Sequence, residues 1–149
     1  YRKHGRRVYD VMLEWEMGEK KRIVYENESF LVFCPFVSKT EYEVRIFSKE
    51  GHAHFEKMPE ELFADLGDAF SATFKKIGKA LDRPDYNFFI HTSPINSSLS
   101  KVHEFYSWHI EILPKVASVG AFELASGMEI NVIDPDEAAK LFRETETQR

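Results

Sequence analysis

Two prolines, Pro59 and Pro84, bracket the stretch that most constrains how this chain can fold. Between them Leu62, Leu66, Phe70, Phe74 and Ile77 recur at spacings of three or four, so a helix gathers all five into one apolar stripe. Pro59-Glu60-Glu61 suits the first turn, where a missing N–H costs nothing and carboxylates meet the positive end of the helix dipole. Lys75, Lys76 and Lys79 read as a solvated face near the far end, and Asp82-Arg83-Pro84 is the stop. A helix with one apolar side needs a second layer to cover it, and the flanking segments must supply that layer.

Those flanks read mainly as strands. Arg22 to Tyr25 and Ser29 to Pro35 surround a polar turn at Glu26-Asn27-Glu28. Across Glu41 to Phe47 the residues alternate, with Tyr42, Val44 and Ile46 on one face and Glu43 and Arg45 on the other, as in a half-buried strand. Two more strands are predicted at Tyr86 to Thr92 and Tyr106 to Leu113, joined by the polar loop Ser93 to Val102, and the tail Phe122 to Ile133 reads as a further one. A short helix is expected over Val8 to Met17, with Val11, Met12 and Trp15 at helical spacing and Gly18 ending it. A last helix opens at Asp134-Pro135-Asp136-Glu137 and runs to about Glu144. Strands, one long helix, then more strands is an α+β order: an antiparallel sheet with helices packed on it. The length suits one domain. Residues 1–10, opening Tyr1-Arg2-Lys3-His4-Gly5-Arg6-Arg7, read as a basic linker or tail, and residues 11–149 as the folded unit.

Composition removes several functions. Twenty Lys and Arg against 25 Asp and Glu give a net charge of −5, which argues against broad binding to a nucleic-acid backbone. Cys34 is the only cysteine, so there is no intrachain disulfide and no cysteine-rich zinc site; without a His or basic residue beside it, it is expected to be a buried packing thiol. The longest apolar run, Phe30 to Val37, is far too short to cross a bilayer, and no secretory signal pattern opens the chain, so no membrane partner and a cytoplasmic location are expected. There is no Gly-rich phosphate loop.

The chemistry-bearing residues lie on the later strands. In Ser107-Trp108-His109-Ile110-Glu111-Ile112, strand alternation puts Ser107, His109 and Glu111 on one face and the apolar residues on the other. His91 shares a face with Asn87 and Phe89, so neighbouring strands would bring His91 towards His109 and Glu111. Two imidazoles and a carboxylate suit a divalent metal such as zinc or iron. The plainer alternative is a His109–Glu111 or Lys–Glu111 pairing with no ion. His52-Ala53-His54 has metal-like spacing but reads as a pair of solvent-exposed histidines, and His103 has no evident partner.

The order of segments resembles the histidine-triad fold: Val24-Tyr25-Glu26-Asn27, then Tyr42 to Ser48, then the helix opened by Pro59-Glu60-Glu61. More specifically, Tyr86-Asn87-Phe88-Phe89-Ile90-His91-Thr92-Ser93-Pro94, then Trp108-His109-Ile110-Glu111-Ile112-Leu113-Pro114, then Gly120-Ala121-Phe122-Glu123-Leu124-Ala125-Ser126-Gly127-Met128 with Asn131 resemble the C-terminal half of galactose-1-phosphate uridylyltransferases. The likeness runs from His4-Gly5 to Phe142.

That resemblance implies a full enzyme with two histidine-triad-like halves, whose N-terminal half carries a His-Pro-His nucleophile that takes up the uridylyl group and passes it to a hexose 1-phosphate. No His-Pro-His occurs here. His91 and His109 correspond to the family's metal site in the second half. Ser107 stands where that family often has the first histidine of a His-x-His pair, and Glu111 is our own candidate for a substitute ligand. Phe122 and Glu123 match sugar-contacting positions and Asn131 another polar contact. The Cys pair many relatives carry after the early His-Gly is absent; Arg6, Arg7, Val8 and Tyr9 stand there, so no structural zinc is expected at that end. The expected partners are a sugar nucleotide, a sugar 1-phosphate, the N-terminal half and, in the full protein, a second copy. Two alternatives accompany this expectation: a self-contained histidine-triad hydrolase or transferase with His109 as nucleophile, and a non-enzymatic sugar-nucleotide-binding module. Glu111 facing a phosphoryl group disfavours the first of these.

Overall fold

A computed structural model describes residues 5–95, 105–118 and 120–145. The elements are α1 (Val8–Glu19), β1 (Ile23–Glu26), β2 (Phe30–Phe33), β3 (Val44–Ser48), α2 (Phe63–Ala80), β4 (Asp85–His91), β5 (His109–Lys115), α3 (Ala121–Ser126) and α4 (Pro135–Glu144). Short 3-10 turns at Phe55–Lys57 and Glu60–Leu62 lead into α2. The five strands form one antiparallel sheet in the order β1-β2-β3-β5-β4, the α+β architecture expected from the sequence.

Local chemistry sets the boundaries. Lys20, at φ 57, closes α1 by donating its N–H to Glu16 O, so Gly18 lies inside that helix rather than ending it. The β1–β2 turn is built by Asn27, whose Oδ1 accepts the N–H groups of Ser29 and Phe30 while its Nδ2 donates to Asp65 O on α2. Asp82 and Arg83, at φ 54 and 56, turn the chain out of α2 before Pro84. Asp134 caps α4 by accepting the Asp136 N–H, with Pro135 in the first turn, and the helix runs to Glu144 as expected.

One sheet face carries Phe30, Val32, Val44, Ile46, Ile110 and Ile112 and packs on Leu66, Ala69 and Ile77 of α2 and Ala138, Ala139 and Phe142 of α4, with Trp108 beside them. The predicted α2 stripe is in place: Leu66 and Ile77 are buried, and Leu62, Phe70 and Phe74 pack against that core. Lys76 leaves the solvated face assigned to it, because its ammonium caps α4 by donating to Phe142 O.

The opposite face is covered over part of its width. Leu13 of α1, with Tyr9, Met12 and Met17, packs on Ile23, Leu31, Phe33 and Phe47. This second layer buries β3 on both faces, where the sequence predicted half-burial. It also turns α1 away from the orientation expected for it, since Val11 and Trp15 are exposed and Leu13 and Glu16 are buried. Glu16 goes inside because it has a partner: Arg22 reaches both of its oxygens at 3.1 Å and Asp136 of α4 at 3.0 Å, while Phe36 lies under the guanidinium. Helix α1 starts at Val8, inside the stretch read as linker.

The tail corrects a second expectation. Phe122 to Ile133 is not a strand; it forms α3 and then an irregular segment. Glu123 accepts the Gly120 N–H across the first turn, and Gly127, at φ 68, closes the helix. Phe122 and Leu124 are exposed, and among the described residues no strand lies beside this segment.

Candidate functional site

The predicted cluster forms on this second face, over β4 and β5. In the β4–β5 ladder His91 pairs with His109, Phe89 with Glu111 and Asn87 with Leu113, so these six side chains share one face. The two imidazoles stack with centroids 4.7 Å apart and planes 16° from parallel. His109 also stacks on Phe47 of β3, at 4.5 Å and 9°. Tyr9 of α1 and Tyr106 close over it, and the histidine is only 6% exposed.

That burial sets its chemistry. Loss of hydration pushes the His109 imidazolium pKa down to about 4, helped by nearby His91 and Arg45 and opposed by the Ser107 carbonyl and Glu111. Its Nδ1 lies 3.1 Å from Ser107 O. A carbonyl can only accept, so Nδ1 carries the proton and Nε2 carries the lone pair.

Candidate ligand atoms of His91, His109 and Glu111 all fall within 4.8 Å of one another. His91 Nε2 is buried without a hydrogen bond to any described residue and stands 3.5 Å from Glu111 Oε2, close to the ~3.3 Å edge expected between two ligands of a tetrahedral zinc. A neutral imidazole, a second imidazole with an unsatisfied nitrogen and a carboxylate are a donor set that fits a divalent ion.

Two further residues touch the cluster and were not singled out from the sequence. Arg45, opposite Glu111 in the β3–β5 ladder, places Nη2 3.5 Å from Glu111 Oε2. Glu43, fully buried, binds the same guanidinium at 2.6 and 2.8 Å. The signal was the alternation that put Glu43 and Arg45 together on the face away from Val44 and Ile46; missing was the knowledge that β3 lies beside β5.

Along the same ladder, about 14 Å from the histidines by strand rise, a cleft of about 420 Å³ opens at Leu113. Asn87, Lys39, Lys115, Glu123 and Met128 are among its lining residues. Glu123 lines this cleft, and its carboxylate accepts the Gly120 and Ile130 N–H groups and organises the tail that forms one wall. Asn131 spends its amide on Ser38 O, Thr40 O and the Ile133 N–H, bracing that tail against the β2–β3 loop. Phe122 is exposed on α3.

The remaining candidates separate cleanly. His52 and His54 are not the solvent-exposed pair expected, with side chains 29% and 12% exposed. Backbone bonds from Trp108 N to His52 O and from Ser93 N to Ala53 O hold their loop against the sheet. Cys34 is buried, and desolvation drives its thiol pKa far up, as suits a packing residue. His103 and His4 lie outside the described residues. No helix among the described residues is long and apolar enough to cross a membrane.

A five-stranded antiparallel sheet, α2 packed on one side, and histidines on the two strands that end it define a histidine-triad-like domain. A zinc-bound histidine triad family protein from Mycobacterium smegmatis shares this fold with a TM-score of 0.61 over 92% of this chain and 90% of its own, at 16% identity. No model of a known protein family matches the chain. In sequence the chain is a relative of the galactose-1-phosphate uridylyltransferases and of ADP-glucose phosphorylase. It is 33% identical over 129 residues to ADP-glucose phosphorylase of Arabidopsis thaliana, covering 87% of this chain and 36% of that protein. The structure of that enzyme with bound ADP-glucose matches with a TM-score of 0.79 and 31% identity over 88% of this chain and 42% of that one. Galactose-1-phosphate uridylyltransferase of Thermotoga maritima is 29% identical over 144 residues, 92% of this chain and 44% of that protein. The chain thus spans less than half the length of the curated relatives it matches.

Proposed function

We propose that this chain is the C-terminal, histidine-triad-like domain of an enzyme that transfers a nucleotidyl group between a nucleoside diphosphate hexose and a sugar 1-phosphate. In this reading the nucleophilic histidine belongs to an N-terminal half, and the present domain binds the sugar and stiffens the site. The observation that carries the reading is the shared face of the β4–β5 ladder. The His91–His109–Glu111 cluster lies at one end, the cleft with Glu123 at the other, and the exposed ring of Phe89 between them. A ligand with a hexose at one end and a charged pyrophosphate in its middle suits such a floor, apolar with few polar groups.

Phe122, Glu123 and Asn131 are assigned to the sugar-nucleotide end, Glu123 at the cleft and Asn131 through the wall it braces. His91, His109 and Glu111 are assigned as ligands of a divalent metal, zinc or iron. Such an ion supplies a rigid cross-link between β4 and β5 and a positive charge at one end of the face.

A nucleophilic role for His109 fits less well. Its ring lies between Phe47 and His91 with Tyr9 and Tyr106 over it, so an attacking nitrogen has little room to approach phosphorus in line. Beside it stand Ser107 and the Glu111 carboxylate, which repels a phosphoryl group, and the nearby Arg45 guanidinium is engaged by Glu43 and Glu111. The outer edge of β4 supports a partner half or a second copy: among the described residues no strand pairs with it, and Tyr86, Phe88, Phe89 and Ile90 are all near half exposed.

The test is calorimetric titration of the chain with UDP-glucose, ADP-glucose, glucose 1-phosphate and galactose 1-phosphate, repeated on Glu123→Ala. Saturable binding of one nucleotide sugar, weakened at least tenfold by the substitution, supports the reading. Absence of binding by all four overturns it.

A further inference from the structure

Glu111 faces two claimants with one oxygen: Oε2 lies 3.5 Å from His91 Nε2 and 3.5 Å from Arg45 Nη2. A guanidinium there opposes any cation that Glu111 would ligate, both by repulsion and by competing for the carboxylate. Arg45 is nevertheless held more closely by Glu43, whose Oε1 accepts from Nε at 2.8 Å and lies 2.6 Å from Nη2. Glu43 cannot follow the guanidinium towards Glu111, because its Oε2 accepts the Lys39 N–H at 2.6 Å and the residue is fully buried. Two carboxylates therefore share one guanidinium, and the share that Glu43 takes is withheld from Glu111.

We propose that Glu43 and Arg45 are positioning residues that set the divalent-cation affinity of the His91–His109–Glu111 cluster. Glu43 draws the guanidinium back and leaves Glu111 free to ligate; Arg45 caps how tightly it can do so. Lys39 lines the cleft, so the same buried carboxylate also joins the cleft wall to the cluster. This inference rests on the metal reading of that cluster.

The experiment measures zinc affinity of the purified chain by competition with a chromophoric chelator at fixed pH and salt. Arg45→Met tightens zinc binding tenfold or more, and Glu43→Gln weakens it tenfold or more. The double variant, which removes both charges of the pair and so leaves neither stranded, binds at least tenfold tighter than Glu43→Gln alone. A merely structural role lowers affinity in both single variants together, so shifts in the same direction, or no shift, overturn the inference while wild-type binding leaves the metal site standing. Failure of the wild-type chain to bind zinc overturns the metal reading and this inference together.

Discussion

His91 and His109 face each other directly across the β4–β5 ladder, their rings 4.7 Å apart and nearly parallel. Stacked rings aim their lone pairs side by side, so sharing one ion requires a tilt of at least one imidazole. Zinc added to the chain is expected to shift the ring NMR signals of His91 and His109 and to leave those of His52 and His54 in place. His91→Asn is expected to weaken zinc binding by more than tenfold. Equal shifts at all four histidines, or full binding by the variant, contradict the assignment.

Burial of His109 makes the metal-free chain acid-sensitive. The unfolded chain takes up this proton below about pH 6.5, whereas the folded chain does so only below about 4. Between those values the unfolded state binds more protons, so stability falls as pH drops from 6.5 and the loss approaches roughly 3 kcal/mol near pH 4. The groups facing the ring are His91 of β4, Arg45 of β3, Glu111 of β5 and the phenols of Tyr9 and Tyr106. Urea unfolding of the chelator-treated chain at pH 7 and 4.5 is expected to show a drop about 2–3 kcal/mol larger in wild type than in His109→Gln. Equal drops in the two proteins refute it.

Arg22 ties α1 to α4 through Glu16 and Asp136. Arg22→Met leaves the Glu16 carboxylate buried without a cation, and the expected cost is about 3–5 kcal/mol in chemical denaturation. Pairing it with Glu16→Met is expected to recover most of that loss. A double variant as unstable as the single one would show that packing, not charge, is at stake.

Asn131 and Glu123 act on the same tail by different contacts. Asn131→Ala removes two donations to the β2–β3 loop and is expected to cost about 1–2 kcal/mol while loosening the cleft wall. Limited proteolysis is expected to cut the 127–133 segment faster in this variant; an unchanged cutting rate counts against a bracing role.

Much of the layer architecture was readable in the chain because periodicity reports faces. The Leu66–Ile77 stripe, the alternation through Trp108 to Ile112 and the Asp134-Pro135 cap each tied sequence to local structure. The His91–His109–Glu111 grouping followed once the two strands were taken as neighbours. What stayed hidden depends on contacts distant in sequence. Glu16 sits on the buried side of α1 because Arg22 and Asp136 meet it there, and no local pattern says so. Glu43 and Arg45 joined the cluster only when β3 was found beside β5. The strand expected at Phe122 to Ile133 failed because a Glu123 cap and Gly127 close a short helix there.

A crystal structure of the chain soaked with ADP-glucose or UDP-glucose tests the central reading most directly. The hexose is expected in the cleft beside Leu113 and Glu123, with the rest of the ligand on the Phe89 side of the β4–β5 face. A nucleotide sugar seated on the opposite face, among α2 and α4, would contradict it.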